Sequence, residues 1–140
     1  MKLVTLLFAL AVVPSGQTGI STAGSWTAQF EGTTFIRLEL NTAGGGIIGR
    51  ISLGNFEVDE RGAVRRVDPA PPAIKPISDI VQRGQTLLFS LKEGNEPDRF
   101  EFRLVESGRA ELVLVLSDED REDLAASGLP APQPIWLTKQ

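Results

Sequence analysis

Apolar and polar residues alternate with a period of two along most of this chain, in short runs broken by glycine-bearing turns. In Thr34–Leu40, Ile36, Leu38 and Leu40 fall on one face and Arg37 and Glu39 on the other. Phe100, Phe102 and Leu104 separate from Glu101 and Arg103 in the same way. Successive side chains of a strand point to opposite faces, so this pattern writes strands with one buried and one wetted face. Gly44-Gly45-Gly46, Glu60-Arg61-Gly62, Gly84, Gly94-Asn95 and Ser107-Gly108 punctuate the runs at hairpin spacing. Leu112–Leu116 is apolar at every position and predicts a strand covered on both sides, at least locally. Asp68–Pro76 is rich in proline, which cannot donate to a ladder, and predicts an extended surface loop within one domain.

One helix interrupts the strands. Ser117 can cap it, Asp118-Glu119-Asp120 places negative charge in its first turn, and Gly128 with Pro130 ends it. The expected helix runs from Asp118 to Ser127, and Ile135–Thr138 returns as a last strand. About eight or nine strands and one late helix predict an all-β protein. The expected fold is a small antiparallel up-and-down β-barrel with one short helix before the last strand; a β-sandwich is the alternative. Closure favours the barrel because it removes exposed strand edges.

The first residues read as an export signal. Met1-Lys2 supplies a positive start, Leu3–Val13 an apolar run too short to span a bilayer, and small residues follow through Ala23. Residues 1–23 are assigned to a signal peptide and 24–140 to a single β-barrel domain, although cuts after Ser15, Gly16 or Gly19 also suit the pattern. The expected location is periplasmic or extracellular, with no membrane insertion after cleavage.

Gly24-Ser25-Trp26 resembles the first-strand signature of the calycins, the lipocalin and avidin type of barrel. Thr33–Leu40, the Gly44-Gly45-Gly46 turn and Gly49-Arg50-Ile51 are similar to the first hairpin of avidin-like domains. The helix before the final strand is similar in order to the lipocalin arrangement. The resemblance implies a barrel plugged at one end by Trp26. It does not extend to avidin's aromatic biotin cage, since the chain has no Tyr and only two Trp. In overall pattern the chain also looks like small exported bacterial β-domains.

Composition removes whole classes of chemistry. The 140 residues include no Cys and no His, which excludes disulfides, Cys/His zinc sites and Ser-His-Asp or Cys-His nucleophiles. With 14 basic against 18 acidic residues the net charge is −4, and no basic stripe exists to displace counterions from nucleic acid. Gly44–Gly49 spells G-x-G-x-x-G, but a β-branched strand follows where a dinucleotide site needs a helix. Asp118, Asp120 and Glu122 alternate like the start of a calcium loop, yet the glycine and glutamate that complete one are missing. Glu57 and Asp59 share a strand face and could act as paired carboxylates, but Arg65 and Arg66 across the hairpin are natural ion-pair partners. Ser52 has no histidine to activate it. No cofactor and no metal are expected.

Trp26, Phe30, Phe35, Phe89, Phe100 and Phe102 could line a ligand cavity or fill a core. The first functional expectation is a non-catalytic extracytoplasmic binding module for a small apolar ligand. Trp26 would floor its cavity, with Phe35, Phe89 and Phe102 as lining. The alternative is a protein-interaction or inhibitor-like domain with a packed barrel, acting through Asp68–Pro76 or Gly128–Pro134. A carboxylate-dependent hydrolase ranks last.

Overall fold

The computed structural model describes residues 21–93 and 95–140. The apolar run Leu3–Val13 and most of the expected signal segment therefore lie outside the described residues. Among the described residues eleven strands form: β1 (Gly24–Phe30), β2 (Thr33–Ala43), β3 (Gly46–Leu53), β4 (Phe56–Val58), β5 (Val64–Val67), β6 (Lys75–Pro76), β7 (Ser78–Arg83), β8 (Thr86–Glu93), β9 (Glu96–Glu106), β10 (Arg109–Val115) and β11 (Ile135–Lys139). Among the described residues a single helix, α1 (Asp118–Ala126), precedes the last strand.

Nine strands make one antiparallel sheet in the order β6-β3-β2-β1-β11-β10-β9-β8-β7. Its two ends are contiguous in the chain. Pro76 and Lys75 pair with Arg50 and Ile51, the Ile77 amide donates to the Gly49 carbonyl, and the chain runs on as β7 beside β8. The sheet thus wraps nearly into a closed barrel around one core, with β6 and β7 as one broken stave, and not into two facing sheets. Asp79, at φ 53°, lies where the β7–β8 register shifts. The second sheet is the β4–β5 hairpin, inserted between β3 and β6.

Local chemistry explains the staves. Ala43 pairs with Gly46 across a loop of Gly44 and Gly45, whose φ angles of 57° and 81° are both left-handed. A two-residue hairpin turn needs that conformation, and glycine adopts it without a Cβ penalty. The G-x-G-x-x-G spelling is therefore a hairpin turn followed by a strand. Ile36, Leu38 and Leu40 of β2 pair with Leu53, Ile51 and Gly49 of β3, so the alternation in the sequence becomes a shared inward face. Trp26, Leu38, Leu40, Leu87, Phe102, Ala110 and Leu137 are fully buried in a single core. Arg50 with Glu39 and Arg103 with Glu101 form ion pairs on the outward phase of β2, β3 and β9.

The helix begins as its sequence dictates. Ser117 Oγ accepts the Asp120 amide at 3.1 Å, and Gly128 follows at φ 69°. Asp118, Asp120 and Glu122 therefore lie on a helix, in place of the loop that a calcium site would need. No residue of α1 is buried. Leu112–Leu116 differs from expectation. Leu112 is buried and Val113 half-buried, but Val115, at the end of β10, is exposed.

Candidate functional site

The two ends of the barrel differ. At one end Trp26 fills the interior. Its ring meets Phe102 edge-to-face, with centroids 5.1 Å apart and planes at 74°. Such T-shaped contacts match the positive ring edge to the negative ring face. The indole Nε1 donates to the Thr22 carbonyl at 2.9 Å, which satisfies a buried donor from just ahead of β1. Leu40, Leu87, Leu104 and Ala110, on the strand halves at this end, are buried.

At the other end the interior opens into a recess of about 310 Å³. Ile36 at the start of β2, Leu53 at the end of β3 and Leu91 near the end of β8 form one wall. Phe100 of β9, Leu112 and Leu114 of β10 and Ile135 of β11 form the other, and Phe56 of β4 closes a side. Among the described residues, Asn55 and Asp98 contribute the polar side chains. Apolar residues persist to the strand ends here, where water would ordinarily select polar ones, and eight of them converge on one concavity.

Two insertions build the rim. The β4–β5 hairpin is pinned by the Gly54 amide to the Phe35 carbonyl at 2.7 Å and the Asp68 amide to the Asn55 carbonyl at 2.8 Å. The Pro-rich loop is tied to the barrel by the Ala70 amide on the Thr34 carbonyl and by Ser52 Oγ, which donates to the Pro71 carbonyl. Ser52 is thus a buried structural donor. The Gly128–Pro134 segment is held against the hairpin tip, where the Gln133 amide donates to the Gly62 carbonyl at 2.9 Å and Gln133 Nε2 to the Arg61 carbonyl at 2.7 Å.

The carboxylate pair of this hairpin has structural partners. Glu57 meets Arg65 at 2.9 Å and Arg66 at 3.9 Å. Asp59 accepts the Arg61 amide at 2.8 Å and the Ala63 amide at 3.0 Å, closing the turn. These bonds favour the charged form, the Arg61 amide most, and hold the Asp59 carboxyl below the usual carboxylate range. A larger recess of about 440 Å³ lies next to the first, but Glu96, Asp98, Arg99 and Asp120 make it a polar surface hollow.

The four favoured aromatics are all buried, and none lines the recess. Trp26 and Phe102 pack together at the closed end. Phe89 lies in the core, its ring stacked on Phe100 at 5.4 Å. Phe35 is out of phase with Ile36 and Leu38 and is covered by Phe56 at 5.9 Å. Phe100 is the one aromatic of the barrel staves that lines the recess; Phe56 comes from the inserted hairpin. Ile36, Leu53, Leu91, Leu112, Leu114 and Ile135 were not singled out from the sequence, because aliphatic residues in a strand spell core by default. The readable signal was positional: in a meander they occupy the ends of staves that open on the same side.

No protein-family model, curated protein or solved structure matches this chain.

Proposed function

We propose that this chain is an exported, non-catalytic binding module that takes a small, largely apolar ligand in the open end of its barrel. The observation that carries this reading is the recess of about 310 Å³, lined by eight apolar residues and open to solvent, at the end opposite Trp26. Ligand sites are typically concavities of about 300–1,000 Å³ with apolar walls and a few polar groups, and the recess meets that description at its lower limit. A barrel of eight staves is wide enough to be filled or to hold one small molecule. Here the Trp26 end is filled and the other is not. The outward charged pairs of β2, β3 and β9 suit a water-facing exterior, and the apolar run Leu3–Val13 suits export.

The test is a fluorescence titration with N-phenyl-1-naphthylamine, an uncharged aromatic probe that brightens in apolar sites. Saturable one-to-one enhancement is expected. Leu114→Lys, which sets a charge at a half-buried wall position, should abolish it while circular dichroism stays unchanged. Equal enhancement in the variant would place the probe elsewhere and overturn the proposal.

A further inference from the structure

The outer face of the barrel carries a stripe without charge. The outward positions of β1 are Ser25, Thr27 and Gln29, and those of β11 are Trp136 and Thr138. The flanking strands β2 and β10 point Arg37, Glu39, Arg109 and Glu111 outward instead. Register sets the stripe side by side: Thr27 pairs with Thr138 on one flank and with Arg37 on the other. Gln29 and Trp136 lie two residues on from the Thr27–Thr138 pair, toward the same end of the sheet and in the same outward phase. Gln29 pairs in turn with Thr34. A groove of about 360 Å³ follows β1 and β2 here, with Thr27, Gln29, Thr34, Arg37 and Gln140 among its walls.

The groups of this face are held in place. Trp136 is 46% exposed, and the Arg109 guanidinium lies 3.9 Å from its ring centroid, which fixes the indole at the surface. Gln140 Nε2 donates to Thr27 Oγ1 at 2.7 Å, and the Gln140 amide donates to the Ser25 carbonyl at 2.8 Å. Gln29 Nε2 donates to Thr34 Oγ1 at 3.3 Å. Both threonine hydroxyls accept in these bonds and keep an O–H to donate, while both carboxamides keep an oxygen to accept. Glu39 takes Arg50 as its ion-pair partner. Among the described residues, the Arg37 guanidinium beside it has no ion-pair or hydrogen-bond partner.

We propose that this outer face is a second site, separate from the recess, and that it takes a short acidic oligosaccharide. One pyranose ring rests its C–H face on Trp136, its hydroxyls meet Gln29, Thr27 and Thr34, and a uronate carboxylate meets Arg37. The chemistry matches at each point. The indole has a negative ring face that attracts the positive C–H edges of a sugar. Sugar hydroxyls both donate and accept, as the carboxamides and threonines of the stripe do. The planar fork of an arginine fits a carboxylate with two parallel hydrogen bonds. From β11 to β2 is two strand spacings, about 10 Å, so a short chain of sugars reaches both Trp136 and Arg37. Polar partners already fixed by hydrogen bonds lose little freedom when a ligand binds.

The experiment is calorimetric titration of the protein with trigalacturonate and with its methyl ester, which share a sugar chain and differ in charge. The acid should bind about five- to tenfold more tightly at low salt, and the gap should narrow as salt is added. Arg37→Gln should bring the acid down to the level of the ester. Trp136→Ala should abolish binding of both, with circular dichroism unchanged, since both side chains are exposed. Tryptophan emission gives a second readout: Trp26 is buried, so a change on binding reports Trp136 and should vanish in Trp136→Phe. Leu114→Lys, in the recess, should leave these titrations as they are, so this site and the apolar one fail separately. No binding of either sugar, or binding that survives Trp136→Ala, would overturn the site. A preference for the acid that survives Arg37→Gln would overturn the role of Arg37 and with it the acidic ligand.

Discussion

The hydrogen bond from Trp26 to Thr22 makes a stability difference that can be isolated cleanly. Trp26 is 0% exposed, and its Nε1 has the Thr22 carbonyl as partner at 2.9 Å. A chain beginning at Ser21 keeps that acceptor; one beginning at Gly24 lacks it. A buried donor left unmade costs about 1–3 kcal/mol, and access of water to the exposed indole edge moves the cost to the lower part of that range. For a domain of this size a cost of about 1–2 kcal/mol corresponds to a fall in melting temperature of about 4–8 °C, at roughly 4 °C per kcal/mol. Calorimetry on the two chains reads the difference. The control is the same pair with Trp26→Phe, which removes the donor and leaves an aromatic ring in the core. In that background the two chains should differ by much less, and the coupling between truncation and substitution is the contribution of the bond. Identical melting of the two tryptophan chains, or an undiminished difference between the two phenylalanine chains, would refute the reasoning. A cut after Ala23 would remove the acceptor, whereas a cut after Gly19 would retain it.

Three further outcomes are expected. Phe102→Ala should destabilise the barrel by about 3–5 kcal/mol in urea unfolding, because a fully buried ring against Trp26 leaves a cavity; a loss below about 1 kcal/mol would show that the closed end is loosely packed. Gly54→Ala should cost about 1–3 kcal/mol and speed proteolysis of the β4–β5 hairpin, since its Cβ would collide with the Asp68 carbonyl while the Gly54 amide is held by Phe35. Asp59 has a depressed carboxyl, so its contribution to hairpin stability is present above the unfolded value and is lost as the pH falls through the folded one. Carbon-13 NMR of the carboxyl should show it titrating below an aspartate in an unstructured peptide, and a midpoint at or above the peptide's would contradict the assigned hydrogen bonds.

The barrel was legible because its signals are local and agree with one another. Period-two alternation in β2 and β9, the Gly44-Gly45 turn and the capped helix after Ser117 each dictate their own geometry. The β4–β5 hairpin with its Glu57–Arg65 pair was legible for the same reason. The recess was not, because it depends on which strand ends share one side of the barrel, and that is a property of the closed sheet. Large aromatics attracted attention as lining, yet their area is what best fills an interior, so Trp26, Phe89 and Phe102 became core. Phe35 was buried on the unexpected face because Phe56, from an insertion, covers it. The even apolar run at Leu112–Leu116 misled at its end because a single exposed valine there, Val115, carries little penalty.

The central claim is that ligand enters at the end opposite Trp26. Methyl NMR with labelled leucine and isoleucine, recorded during titration with N-phenyl-1-naphthylamine, tests it directly. The account predicts shifts confined to Ile36, Leu53, Leu91, Leu112, Leu114 and Ile135, with Leu40, Leu87 and Leu104 unmoved. Shifts centred on the latter three, or spread over the exterior with no change in the recess, would contradict it.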